Sequence, residues 1–362
     1  MKPEAPRILL VRLSAIGDCL HAVPVLVALR RHFPKAYLGW AVEKAPHALL
    51  NGHPLVDRFH VFPRHAFKRK EGTFFSRVKA LQTFRKELRA ESYDTAIDLQ
   101  GLTKSGLVAW WSRARQRIGF RGPESRELNR LFANRRVRVP ETAIHIVEKN
   151  LELVRPLGVA PPVRPEWVMP DYAAEARALE PFLREHGLGE GGAPYAVVNP
   201  GATWATKRWP PEHFGAVAKG LTRGGRLAAL VTWADAEERA AAETIARVAG
   251  HPRVLLAPPT NLRELAALLA GARLFVGNDT GPLHLAVALG VKSVAVFGAS
   301  DPLRNGPYGR EHRIQAGGPE CQPCWKTTCQ RQDLACLMWV KPEKVLESCE
   351  ELLGQAGGAA AC

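Results

Sequence analysis

The sequence predicts an α/β protein built from two doubly wound, Rossmann-like halves, and three observations carry that prediction. Short apolar runs of strand length alternate with segments of helical period. The alternation occurs twice, on either side of Gly158–Pro170, a stretch holding Pro161, Pro162, Pro165 and Pro170 that suits neither a regular helix nor a central strand. With 362 residues and 46% hydrophobic content, the chain can fill two cores.

In the first half, Arg7–Leu13, Tyr37–Val42, Arg58–Phe62 and Thr95–Leu99 read as strands, and Leu20–His32, Phe75–Arg89 and Thr103–Trp111 as helices. In the second, strands at Tyr195–Asn199, Arg226–Thr232, Arg253–Leu256, Leu274–Val276 and Ser293–Phe297 alternate with helices at Pro211–Leu221, Glu237–Val248, Leu262–Ala270 and Leu283–Leu289. The expected division is 1–170, with the linker, then 171–340, then 341–362. In the last part, a helix at Pro342–Leu353 is expected to pack back across the interface, followed by a frayed tail at Gly354–Cys362.

Composition narrows the function. No apolar run reaches the roughly 18–20 residues of a membrane span. The amino-terminal apolar run is broken by Arg12 and leads into SAIGD without a small-residue cleavage site, so it reads as a first strand and a cytoplasmic location is expected. The net charge is +15, and between Val61 and Pro140 there are 19 Lys and Arg against 7 Asp and Glu. Such a stretch suits an acidic partner. Zinc-finger spacing, an RNP-like aromatic string and a long basic helix are all missing, so nucleic acid is not the expected partner.

Ligands of open α/β sheets bind outside the carboxyl ends of the strands, which directs attention to three loops expected to line a cleft between the halves. After the first strand comes SAIGDCLH, Ser14–His21, where Gly17 permits a tight turn and Asp18 stands at a helix entry, either as a cap or as a general base. The second loop, NPGATWATKRWP, Asn199–Pro210, offers the Thr203 hydroxyl and the Lys207 point charge. The third lies in FVGNDTGPLHLAVALG, Phe275–Gly290: a buried strand runs through a polar turn into an apolar helix, with Thr280 at the N-cap and Pro282 in the first turn. Backbone N–H groups around Thr280 and Gly281, aligned with the positive helix end, suit a phosphate or diphosphate.

These stretches carry a resemblance. SAIGDCLHAVPVLVALRRHFP near the start, YDTAIDLQGLTKSG at 93–106, SREL at 125–128, HIVEKNLEL at 145–153, KRWPPEHF at 207–214 and VGNDTGPLHLAVALG at 276–290 resemble, in order, glycosyltransferase family 9, the ADP-heptose:lipopolysaccharide heptosyltransferases, and most closely the heptosyltransferase I branch. The resemblance implies a GT-B fold, two Rossmann-like domains facing across a cleft, with the acceptor on the first and the ADP-sugar on the second. It implies inverting transfer of L-glycero-D-manno-heptose from ADP-heptose to Kdo of Kdo-lipid A, with Asp18 as base. It further implies a donor set of Thr203, Lys207, Asp279, Thr280, Gly281 and His284, with Glu237, to within a residue, on the ADP ribose.

With lipid A phosphates and the Kdo carboxylate as targets, Arg64, Lys68, Arg69, Lys104, Arg126 and His145 become candidate acceptor contacts, the last three by resemblance. Anionic inner-membrane lipid would attract the same face, at about 1 kcal/mol per basic residue, making the enzyme peripheral on the cytoplasmic side. A helix N-terminus plus Lys207 can meet the charge on departing ADP, so no cofactor is required for catalysis. Cys321, Cys324, Cys329 and Cys336, spaced C-x2-C-x4-C-x6-C, are compatible with a structural zinc site or with a set of reduced thiols. Cys19 reads as a packing residue. The competing functions are a heptosyltransferase II-type enzyme acting on the first heptose, a GT-B sugar-nucleotide epimerase, and a non-catalytic binder of nucleic acid or anionic lipid.

Overall fold

The computed structural model describes residues 5–64, 73–225 and 227–354. The chain divides into two compact units, Met1–Asp171 and Tyr172–Cys362.

The first unit holds strands β1 (Arg7–Val11), β2 (Tyr37–Val42), β3 (Arg58–Val61), β4 (Thr95–Asp98), β5 (Gln116–Arg121) and β6 (Arg135–Arg138). They form one parallel sheet in the order β3-β2-β1-β4-β5-β6. Helices α1 (Ile16–Leu20), α2 (Val23–His32), α3 (Lys44–Leu50), α4 (Phe74–Ala90), α5 (Thr103–Trp111) and α6 (Ile146–Glu152) connect and cover it. Central strands covered on both faces read as unbroken apolar runs, which is why Ile8, Leu9, Leu10 and Val11 are all buried. The strand order reverses between β1 and β4, so their carboxyl ends make the crevice where such sheets bind ligands.

The second unit repeats the plan. Strands β7 (Tyr195–Asn199), β8 (Ala228–Val231), β9 (Val254–Leu256), β10 (Leu274–Asn278), β11 (Ser293–Phe297) and β12 (His312–Ala316) make a parallel sheet ordered β12-β11-β10-β7-β8-β9. Its switch point lies between β7 and β10. The helices are α7 (Ala173–Glu185), α8 (Pro211–Thr222), α9 (Ala236–Ala249), α10 (Leu262–Ala270), α11 (Gly281–Ala288), α12 (Pro302–Asn305), α13 (Ala335–Met338) and α14 (Pro342–Gly354). Local chemistry fixes their starts: Asp235 Oδ1 caps α9 by accepting from Glu238 N–H at 2.9 Å, and Asn261 and Glu264 close a reciprocal capping box on α10.

Several expectations need correction. The helix expected over Leu20–His32 is two, α1 and α2, because the chain turns at His21–Ala22 before Pro24 enters the first turn of α2. Strands β5, β6 and β12 are additional. The proline-dense segment is tied to the first unit: Trp167 Nε1 donates to Leu20 O at 2.9 Å, and Arg31 Nη1 donates to Glu166 Oε1 at 2.8 Å. Helix α14, expected to cross back, is built into the second unit against α8, β10, β11 and β12. Lys292 Nζ holds it by donating to Leu352 O at 2.6 Å, and buried Val345, Cys349 and Leu352 join that unit's core.

Candidate active site

At the first switch point, β1 runs past its last apolar residue into Arg12, whose side chain is only 8% exposed. Such a charge needs partners. Arg12 Nη1 donates to Leu99 O after β4, and Arg12 Nη2 meets Asp18 Oδ1 at 2.6 Å. Asp18 is the third residue of α1, and its Oδ2 also accepts from Ala15 N–H at 3.2 Å. The cap and the general base are therefore compatible: both oxygens are anchored, and the side chain keeps 33% exposure. Beside it Glu43, just after β2 and 5% exposed, collects three donors: Lys104 Nζ at 2.8 Å, Arg64 Nη1 at 3.2 Å and the Ser14 hydroxyl at 3.3 Å. Lys104 Nζ also lies 3.3 Å from Ser14 Oγ. The loops after β1, β2, β3 and β4 are thus joined in one polar cluster that presents cations beside an anchored carboxylate.

At the second switch point, Asn278 closes β10 by donating from Nδ2 to Pro200 O at 2.8 Å and accepting at Oδ1 from Trp209 N–H at 3.2 Å. This brackets the loop carrying Lys207. The Asp279 side chain, 2% exposed, accepts from Lys207 Nζ and the Ser300 hydroxyl, each at 2.5 Å on Oδ2, and its Oδ1 stands 3.2 Å from His284 Nε2. Burial alone would raise the Asp279 carboxyl, but His284 and Lys207 outweigh it and hold the group well below the usual carboxylate range. Thr280 enters α11 in an extended conformation with no side-chain cap bond, and Pro282 follows in the first turn. The first-turn N–H groups of Gly281 and Leu283 have no intrahelical acceptor. The ammonium of Lys207 also sits 4.8 Å from the Trp204 ring centre. A buried carboxylate holding a lysine in place beside a helix N-terminus is an arrangement chemically suited to receiving an anion.

The model of glycosyltransferase family 9 (heptosyltransferase) matches residues 81–335. The chain belongs to glycosyltransferase family 9. It is similar to the lipopolysaccharide heptosyltransferase 1 of Pseudomonas aeruginosa, with 31% identity covering 96% of this chain and 98% of that one. Among solved structures it is similar to the Escherichia coli heptosyltransferase WaaC with ADP, at 27% identity and a TM-score of 0.76, covering 96% of this chain and 99% of the other. The same enzyme with ADP-2-deoxy-2-fluoro heptose gives 26% identity and a TM-score of 0.73, with 95% and 99% covered. The two parallel sheets with their flanking helices are the GT-B architecture expected from the family 9 resemblance, and the protein is a family 9 glycosyltransferase.

Within this family 9 chain the remaining expected residues fall in different places. Thr203 is exposed on the Lys207 loop. Glu237, at the start of α9, extends outward to Arg208, whereas its neighbour Glu238 is half-buried against the backbone of Gly201 and accepts from Ala234 N–H at 2.9 Å. Burial raises the Glu238 carboxyl, against the lowering effect of that N–H. Arg126 is exposed, and its own N–H secures the loop by donating to Gly101 O at 2.9 Å. His145 is 7% exposed and caps α6: its Nδ1 accepts from Val147 N–H at 3.2 Å, with its ring edge-on to His21. Lys68 and Arg69 lie outside the described residues.

Among the described residues, no three His, Cys, Asp or Glu side chains are arranged to hold a metal ion. Cys321 is exposed, Cys324 and Cys329 are partly buried and Cys336 is buried, all as free thiols; burial and the nearby Cys324, Cys321 and Cys329 push the Cys336 thiol up to about 11. Backbone bonds organise this segment: Cys324 and Trp325 N–H both donate to Ala299 O, and the Thr206 hydroxyl donates to Lys326 O at 2.6 Å. The segment therefore buttresses the residue preceding Lys207. Burial raises the Cys19 thiol far above its ordinary value, which leaves it a neutral packing group.

Arg12, Glu43, Ser14, Ser300 and Thr206 join the two candidate clusters through contacts that the sequence motifs do not single out. Arg12 alone had a clear signal, a charge interrupting an apolar strand run. The partner of a charge is set by tertiary contact and is not written beside it.

Proposed function

We propose that the protein transfers L-glycero-D-manno-heptose from ADP-heptose to the Kdo residue of Kdo-lipid A, with inversion, in lipopolysaccharide inner-core synthesis. The observation that carries this reading is the anchored yet open Asp18 carboxylate in one unit, together with the hydrogen-bonded Lys207–Asp279–His284–Ser300 network beneath the α11 N-terminus in the other. Names of relatives and ligands in similar structures support donor and acceptor: a lipopolysaccharide heptosyltransferase 1, and WaaC with ADP.

In this reading, Asp18 takes the proton of the Kdo hydroxyl as that oxygen attacks the anomeric carbon. The bond from that carbon to the phosphate oxygen breaks, and its electron pair leaves with ADP. Attack opposite the leaving group inverts the centre. Lys207, Thr203, Thr280 and the first-turn N–H groups of α11 receive the diphosphate, whose charge increases as the bond breaks. Asp279 and His284 position Lys207 and the loop. The carboxylates opening α9, Glu237 by family position and Glu238 by its seat against Gly201, receive the ribose hydroxyls. Lys104 and Arg64, and with them Arg126, Lys68 and Arg69, attract the acceptor's carboxylate and phosphates, at the cytoplasmic face of the inner membrane. No step of this reading calls on a metal.

The test is ADP release from ADP-heptose with defined acceptors. Turnover with Kdo-lipid A, and none without acceptor, is the expected result. Turnover without acceptor means epimerase or hydrolase chemistry, and turnover only on an acceptor already carrying one heptose means the second transfer; either result rejects the proposal.

A further inference from the structure

Helix α4 opens on an exposed aromatic pair. Phe74 is 66% exposed and Phe75 is 81% exposed, with ring centres 5.9 Å apart. Thr73 fixes the start of the helix by accepting from Ser76 N–H at 3.2 Å, so the two rings stand on its first turn. Only Phe84 and Leu88 of α4 are buried. The rest of the helix carries Arg77, Lys79, Arg85, Lys86 and Arg89 against Glu87 alone, and residues 61–90 hold nine Lys and Arg against two Asp and Glu.

The direction of α4 gives the pair its meaning. The helix ends beside the start of β1, where Glu91 pairs with Arg7 at 2.9 Å. Its beginning is therefore at the opposite rim of the sheet, the carboxyl edge, which also carries Asp18, Glu43 and Lys104. Two bare aromatic rings next to dense positive charge fit a surface that offers hydrocarbon just beneath negative headgroups. A nucleic-acid duplex, with its bases already stacked and paired, would leave the rings without an apolar phase. Among the described residues no helix is long and apolar enough to cross a membrane, so any attachment these helices make is at the surface.

We propose that the Phe74–Phe75 pair and the cations of α4 form a docking surface that seats the first unit on an anionic lipid bilayer, with the rim bearing Asp18 turned toward the lipid. This rests on the reading above that the acceptor is a membrane lipid: the sugar of such an acceptor projects from the headgroup layer, and docking by this rim brings Asp18 to that layer without extracting the acyl chains.

Flotation of the full-length protein with phosphatidylcholine vesicles, with and without phosphatidylglycerol, tests the proposal. The protein is expected to float with the mixed vesicles and not with phosphatidylcholine alone. The double variant Phe74→Ser/Phe75→Ser is expected to lose binding about tenfold or more, and Arg77→Glu/Lys79→Glu to lose it with a weakened salt dependence. Both variants should keep the wild-type melting temperature, ADP affinity and turnover on a soluble Kdo saccharide lacking acyl chains. Equal flotation of the Phe variant and wild type, or equal binding to neutral vesicles, overturns the docking surface. Absence of turnover on Kdo-lipid A by wild type itself overturns the transferase reading and leaves the flotation result standing.

Discussion

Asp279→Ala should cost the second unit a large share of its stability. The carboxylate is 2% exposed, and the side chains it serves are themselves enclosed, Lys207 at 15% and His284 at 7%. Removing one partner of a buried pair costs about 3–5 kcal/mol, because a charge is left without compensation. Lys207 retains some solvent and the Trp204 ring, so the lower end applies, about 3 kcal/mol. In a unit of this size that corresponds to a fall of about 6–12 °C in its melting temperature. The pH dependence has a definite sign. Asp279 is held below its ordinary range in the folded unit, so its contribution is complete above the unfolded value of about 4. It is lost as pH falls below that value and through the folded one. Differential scanning calorimetry of wild type and variant should show a constant gap from neutral pH down to about pH 5 that closes in stronger acid. Adding Lys207→Met to the variant should restore more than half the loss, since no charge is then stranded. A fall under about 2 °C at neutral pH, or a gap that widens in acid, would refute the assignment of a buried ionised pair.

Three other outcomes follow from named contacts. Gly298→Ala places a Cβ 2.0 Å from the carbonyl of Thr206, which is backbone and cannot swing away; a loss of about 1–3 kcal/mol and weaker ADP binding by calorimetry are expected, because Lys207 is the next residue. Glu43→Ala frees Lys104 and Arg64 from their shared carboxylate, so the acceptor KM should rise about tenfold, equivalent to about 1.4 kcal/mol, with the ADP-heptose KM unchanged in steady-state kinetics. His145→Ala removes the α6 cap and should lower the melting temperature by about 2–4 °C for a loss of about 1 kcal/mol, while the acceptor KM stays within about twofold of wild type if capping is its only role.

The strands most plainly legible in the sequence were those buried on both faces, although the edge strands β3 and β9 were also expected. β1, β7, β10 and β11 are central or nearly so, and their apolar runs announce them. β6, with sequence RRVR, and β12, with HRIQA, are edge strands half in solvent, so they carry charge where a strand signal needs apolar residues. β5 escaped notice for a related reason: only Ile118, Gly119 and Phe120 are buried, three residues between arginines. The short helices α3 and α6 fall below the length at which a helical period can be distinguished. The same contrast holds at the site. Asp18, Lys207 and Asp279 follow strands at the two switch points, and position in sequence exposes them. Glu43 and Ser300 matter because of what folds against them, and the burial of His145 as a cap is decided by α6 packing near His21.

The central claim is that Asp18 takes the acceptor proton, and Asp18→Asn tests it most directly. Asparagine can still accept from Ala15 N–H, so the start of α1 is kept while the charge and the base are lost. Turnover measured with saturating ADP-heptose and Kdo-lipid A is expected to fall by about 10²–10⁴-fold, the usual contribution of a positioned base, with ADP affinity preserved; the melting temperature falls as well, because Arg12 keeps Leu99 O but loses its charged partner. A loss of less than about threefold would leave Asp18 as a helix cap and contradict the account.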